Sequence, residues 1–492
     1  MIMRAARGFL AACALPLVFS ACGGRYFHEA GAPPDPPPRY ALADLPVPEH
    51  WTGVVFNGAK VGFTHTRVTR AAEDGLYDIR GEAVVRFRFL GYDKRTQIRT
   101  LDTVDENGRL ARFDYRYVLD ESEQSLSGEV RDGRLRYRLT SAGRPPEQKE
   151  ETLAEPLYPA GALDLLPVLE GLRVGRVFRW LVFNGETQSV SPATQRVEAY
   201  ETSDLFDGAA FKVHTELLGL SSTSWIDARG RPLLELSMNG VLVSALEDER
   251  TAKSYLATAA VNKDDVLVEW TLVKAPLPLA DPRRAQFLRV ALSRLPLSDE
   301  RQRCTASAAE AVCEIDAGRS ISPASGSAES GLKPSAVVQS NDPMIRLLAR
   351  SIAPGATMTA DEKIAAVLAW LERNIRKEPV DAFSALDVLD AKRGECQGHA
   401  YLYAALARAL GVPTRVVNGL VYASDYGGFL YHTWAESLVA GGWRAVDPTF
   451  SQAYADATHI ALARGESPAE LAPLVDWVGS TRIRVLEARP GL

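Results

Sequence analysis

The sequence predicts a multidomain α+β protein, with an antiparallel β-rich domain in its N-terminal half and an α+β core in its C-terminal half. Three observations lead there. From Trp51 to Ala260 apolar and polar residues alternate with period two, as in antiparallel strands with one face on a core and one in water. From Asn341 the pattern changes to capped segments with apolar stripes, which read as helices. Beyond Pro413 come strand-like segments, so helices precede strands in this half. At 492 residues the chain is too long for one ordinary core.

The first element is a targeting segment. Arg4 and Arg7 precede "FLAACALPLVFS", an apolar run far shorter than the ~20 residues of a membrane span. "FSACGG" then places Ser20 and Ala21 before Cys22. This resembles a bacterial lipoprotein signal, with Phe19 where leucine is commonest. The resemblance implies a signal peptide over 1–21, lipidation of Cys22, and Gly23 favouring the outer membrane. Residues 22–48 follow as a Pro-rich linker, with five prolines between Pro33 and Pro38 forming an extended spacer. No other segment is apolar and long enough to span a bilayer.

Residues 49–260 form the β-rich domain. Val85, Phe87 and Phe89 alternate with Arg86 and Arg88, and Leu135, Tyr137 and Leu139 with Arg136 and Arg138. Asn107-Gly108, Asp132-Gly133 and Arg229-Gly230 supply hairpin turns. "DENGRL" and "DARGRP" recur between strand patterns on either side of "GALDLLPVLEGL", the trace of a duplication. The alternate arginines read as a solvated face rather than an anion site. A net charge of −6 is small for this length and points to no nucleic-acid partner.

Residues 261–340 read as a connecting segment, with strands in "VLVEWTLV" and "RRAQFLRVAL" and a Ser/Gly-rich linker at "SPASGSAESGLKPS". Cys304 and Cys313 lie close enough to pair in an oxidising compartment. With Cys13 in the signal and Cys22 lipidated, Cys396 is left as a free thiol in an exported protein.

Residues 341–492 form the α+β core. Asp342-Pro343 opens one helix, Thr359 and Glu362 form a capping box for a second, and Gly394 closes a third. The fourth begins at Cys396, is apolar on most sides, and stops at Gly411 and Pro413. A thiol at a helix N-terminus meets the positive end of the macrodipole, which favours the nucleophilic thiolate. His432 in "YHTWAE" and Asp447 in "WRAVDPTF" follow on strands. They supply a base for the thiol and a carboxylate to orient that base. His399 offers a second base, and "CQGH" half a zinc site, but no second Cys or His pair stands at ligand spacing, so neither metal nor cofactor is expected. His459 reads as structural, Glu436 as a solvated strand residue, and Trp434 and Trp443 as core.

"GECQGHAYLYAALARALGVPTRVVNGL", "YHTWAE" and "WRAVDPTF" together resemble the transglutaminase-like superfamily, papain-like in chemistry. The resemblance implies a catalytic triad of Cys396, His432 and Asp447 in a thiol-dependent acyltransferase acting on peptide or protein amides. Water as acceptor makes it a cysteine peptidase or amidase, the reading preferred here, and an amine makes it a cross-linker. The expected location is the bacterial cell envelope, lipid-anchored at the outer membrane and facing the periplasm. The alternative is an envelope binding or scaffold protein with an idle triad. Nothing in the sequence bears on oligomeric state.

Overall fold

The computed structural model describes residues 26–491, apart from 90–91, 142–143, 260–267, 269–270, 276–277, 308–309 and 356. The signal segment, Cys13 and Cys22 lie outside the described residues. A large N-terminal β-sheet domain is followed by an α+β region. Among the described residues no helix is long and apolar enough to cross a membrane.

The N-terminal domain is one 16-stranded sheet. A first antiparallel meander runs strand by strand from Glu49–Phe56 to Glu147–Thr152. A second runs from Val177–Asn184 to Leu242–Glu247, whose last strand pairs with Glu49–Phe56 and joins the two. The two recurring turns are built alike. Asp105 Oδ1 accepts from the N–H groups of Asn107 and Arg109, and Asp227 Oδ1 from those of Arg229 and Arg231. Gly108 and Gly230 take φ values of 77° and 81°, which only glycine adopts at no steric cost. Each turn follows the fourth strand of its meander, and both rest on one short helix, Leu166–Glu170. A Cβ on Gly108 would strike Leu166, and one on Gly230 would strike Val168. The two meanders thus carry matching turns and share a core through Phe113, Leu126, Phe183, Phe211 and Val168.

The alternation places Phe113, Tyr115, Tyr117, Leu135, Tyr137 and Leu139 inside. The arginines between them pair across strands, as in Arg116 with Glu123 and Arg136 with Glu150. The expected polyproline spacer is not free. Phe27–Glu29 pairs with Ser189–Ser203, Phe27 stacks on Trp225 at 4.4 Å, and Leu42 is buried. These apolar side chains outweigh the prolines and tie the segment to the domain.

In the C-terminal region the helices Pro343–Ile352, Ala360–Asn374, Ala385–Ala391 and Cys396–Ala409 pack on a five-stranded sheet. Asp342 accepts from the Met344 and Ile345 N–H groups, and the Thr359–Glu362 capping box is closed. The connecting segment differs from expectation. Ala285–Leu292 pairs with both Ala311–Asp316 and Ile483–Pro490, so it is part of this body's own packing. Cys304 and Cys313 lie opposite each other on paired strands and are disulfide-bonded. The Ser/Gly-rich stretch straps Trp443, against which a Cβ on Gly331 would press. In "VLVEWTLV" the described Val268 and Thr271 are helical, and only Val273–Lys274 forms a strand.

Candidate active site

The cysteine helix runs through the core, with Ala400, Leu402, Tyr403, Ala404 and Leu406 fully buried. Its first residue, Cys396, is a half-buried free thiol where that core meets a cleft of about 540 Å³. His432 lies in Gly428–Val439 and Asp447 just past Gly442–Val446, its antiparallel neighbour. Asp447 is sealed from solvent and lies 2.8 Å from His432 Nε2 through Oδ2. The ring's other nitrogen, Nδ1, is thereby left for the thiol. Burial alone would lower the His432 pKa, but the Asp447 carboxylate and then Cys396 outweigh it and raise it to about 9. Cys396 thus interacts with His432 by charge and by a loose side-chain hydrogen bond, and no S–H···N bond of regular geometry joins them among the described residues.

Asp447 is held by more than His432. His459 Nε2 lies 2.8 Å from the same Oδ2, while Oδ1 accepts from the N–H groups of Thr449 and Phe450. Burial pushes this carboxyl up, yet the two imidazoles carry it far below its ordinary range. His459 is also fully buried, and its Nδ1 lies 3.1 Å from the Asp456 carbonyl. Both its nitrogens face acceptors, so it sits there as an imidazolium. Reading His459 as merely structural therefore missed a second ring on Asp447; its signal was a histidine and Asp456 among buried neighbours in "DATHI". His432, Asp447 and His459 could present ligand atoms within 4.8 Å of one another to a metal ion. The 2.8 Å separations are those of N–H···O bonds, which occupy the same lone pairs.

His399 does not join this group. Its Nδ1 bonds the Glu395 carbonyl one turn back, and its Nε2 is buried with no regular hydrogen bond among the described residues. Glu436 corrects the expectation of a solvated residue. It is 2% exposed and paired with Arg415 at 2.6 Å and Arg464 at 2.8 Å. Trp434 and Trp443 are core.

The β domain reaches the residue before Cys396. Buried Lys94 pairs with Asp120 at 3.1 Å and with Asp381 at 2.9 Å. Asp381 in turn interacts with Glu395, the N-cap of the cysteine helix. Burial and then Asp381 raise Glu395 to about 8, so it keeps its proton at neutral pH. A neutral carboxyl there adds no negative charge beside the thiol. Arg393 with Glu121, and Arg144 with Asp387 and Asp390, add further bridges between the two regions. The cleft walls are mainly apolar, from Val421, Tyr422, Leu430, Phe450 and Leu474.

No curated protein matches this chain. A candidate cysteine protease from Cytophaga hutchinsonii is 17% identical over 40% of this chain and 86% of its own, with a TM-score of 0.30. A β-barrel-like protein of a domain of unknown function from Brucella abortus is 12% identical over 41% of this chain and 95% of its own, at 0.33. A candidate protease from Parabacteroides distasonis is 10% identical over 90% of this chain and 71% of its own, at 0.20. Likenesses this distant transfer no residue role. Residues 346–448 match the family model of the transglutaminase-like superfamily, so part of this chain is a distant relative of that superfamily.

Proposed function

We propose that the protein is a thiol-dependent acyl-transfer enzyme of the bacterial envelope, anchored through Cys22. The observation that carries this reading is His432, bound to Asp447 at 2.8 Å and raised to about 9 with Cys396 among the causes. Cys396 gives its proton to His432 Nδ1 and attacks the amide carbonyl carbon through sulfur. The C–N bond then breaks, the departing amine takes the proton from His432, and a thioester remains. Water activated by His432 releases the acid. Asp447 fixes the ring and its Nε2–H tautomer throughout. The Cys396 N–H, at the helix N-terminus, is one donor for the oxyanion. The apolar walls suit a peptide bearing an apolar side chain, and hydrolysis is preferred over transfer to an amine.

The unclosed contact between Cys396 and His432 favours a second reading, a binding or scaffold protein with an idle triad. Iodoacetamide alkylation of Cys396 across pH separates the two, with the Cys304–Cys313 bond intact. Fast alkylation at pH 6–7 that is lost in His432→Ala supports the enzyme. Slow alkylation indifferent to His432→Ala supports the scaffold.

A further inference from the structure

A second cavity, about 210 Å³, opens on the β domain, remote from Cys396. Asp102, Tyr115, Tyr117, Phe183 and Gly161 line it. Asp102 is 2% exposed; its Oδ1 accepts from the Tyr115 hydroxyl, and its Oδ2 has no donor among the described residues. Tyr117 is 5% exposed, and its hydroxyl has no partner among the described residues. No lysine or arginine lines the cavity. The other titratable lining groups are Glu82, already paired with Arg99, His65, paired with Glu49, and Glu186, which has no cationic partner among the described residues.

Glycine keeps the cavity open. A Cβ on Gly161 would stand 3.9 Å from Asp102 Oδ2, and one on Gly185 would run into the Tyr115 ring and the Tyr117 hydroxyl. A buried carboxylate without a counter-ion is costly, and burial raises Asp102 to about 7. A cation beside Oδ2 would offset that cost.

We propose that this cavity binds an aliphatic primary ammonium group, donating to Asp102 Oδ2 and the Tyr117 hydroxyl with its charge against the rings of Tyr115 and Phe183. The chemistry selects among cations. A guanidinium seeks both oxygens of a carboxylate, and Oδ1 is taken by Tyr115. A quaternary ammonium has no N–H to donate. An ammonium has three N–H donors, and aromatic faces attract its charge.

The test is calorimetric titration of the full-length protein with n-butylammonium, for the free amine, and with Nα-acetyl-lysine methylamide, for a peptide side chain. Binding of either supports the proposal, and the tighter one names the source. Asp102→Asn keeps an acceptor for Tyr115 and is expected to weaken binding at least tenfold. Gly161→Leu fills the space beside Oδ2 without altering the carboxylate and is expected to do the same. The proposal is overturned if neither probe binds, if n-butanol binds as tightly as n-butylammonium, or if both variants bind like the wild type.

Discussion

Asp447 in the C-terminal cleft and Asp102 in the β domain are both shut away from water, yet their charge states differ. Asp447 receives two imidazole rings and two backbone N–H groups and stays ionised far below the ordinary carboxylate range. Asp102 receives one tyrosine hydroxyl and rises to about 7. Burial pushes both upward, so the partners decide the outcome. Between them stands Glu395, whose ionised form the Lys94 charge favours and burial and Asp381 oppose, so that it rises to about 8. A buried carboxylate with every lone pair engaged can anchor a proton-transfer chain, while one with a free oxygen invites a ligand.

Replacing Asp447 with asparagine should have the largest effect. Two buried imidazoles lose their counter-charge, His432 falls from about 9 toward its ordinary value, and its tautomer is no longer fixed. By comparison with triads of this type, acyl transfer should fall about 10⁴-fold. The uncompensated charge should cost about 3–5 kcal/mol. Thioester formation and urea unfolding would report these, and a change under tenfold in the first would mean that Asp447 does not act through His432. The wild-type pH dependence follows from the same groups. His432, raised when folded, contributes stability that is full below about 6.5 and lost as pH rises through about 9. Asp447, depressed when folded, contributes stability present above the ordinary carboxylate pKa and lost only in strong acid.

Lys94→Met comes next, because it strips from Asp120, Asp381 and Glu395 the one cation their network has among the described residues. Leaving buried acids unpaired should destabilise by about 3 kcal/mol, with Lys94→Arg recovering much of it. If Lys94→Met unfolded at the wild-type urea midpoint, the bridge between the two regions would be ornamental.

Asp102→Asn should move stability the other way. A folded carboxyl raised to about 7 favours the protonated form, so stability is greatest below about 4 and is lost as pH climbs to 7. Asparagine removes that cost and should stabilise the protein at pH 8 by about 2 kcal/mol, with little effect at pH 4. Destabilisation at pH 8 would show that Asp102 has a counter-charge after all.

How far this contrast was legible in the sequence depends on how local each partner is. Cys396, His432 and Asp447 each sit in a short motif whose helix or strand is written in its own residues, so the elements that carry them could be read. The β domain's strands followed from alternation for the same reason. Glu436 was misread because alternation assigns it an outward face, whereas Arg415 and Arg464 lie over that face and close it. The prolines after Pro33 say extended but not free, and only the fold shows Phe27 on Trp225. Lys94 and Glu395 lie in different regions of the chain, so no window could pair them. Asp102 sits in an ordinary alternating strand, and nothing around it announces a cavity.

Tyr115→Phe should have the smallest effect, and it tests the Asp102 side alone. The hydroxyl donates to Oδ1, and phenylalanine preserves the ring that packs against Phe113 and Phe183. When the carboxyl is neutral the lost bond should cost about 1 kcal/mol. An ionised acceptor holds the same donor more tightly, so the loss should be larger at pH 8 than at pH 5. The variant can limit that loss by keeping its proton, which moves the Asp102 titration further up. Urea unfolding at both pH values, with Asp102→Asn in the same cycle, isolates the coupling. A loss that is the same at both pH values, or that persists in full in the Asp102→Asn background, would mean that Tyr115 does not bond a titrating carboxyl. Asp102 would then have no partner to offset its burial, and its contrast with Asp447 would rest on the partners of Asp447 alone.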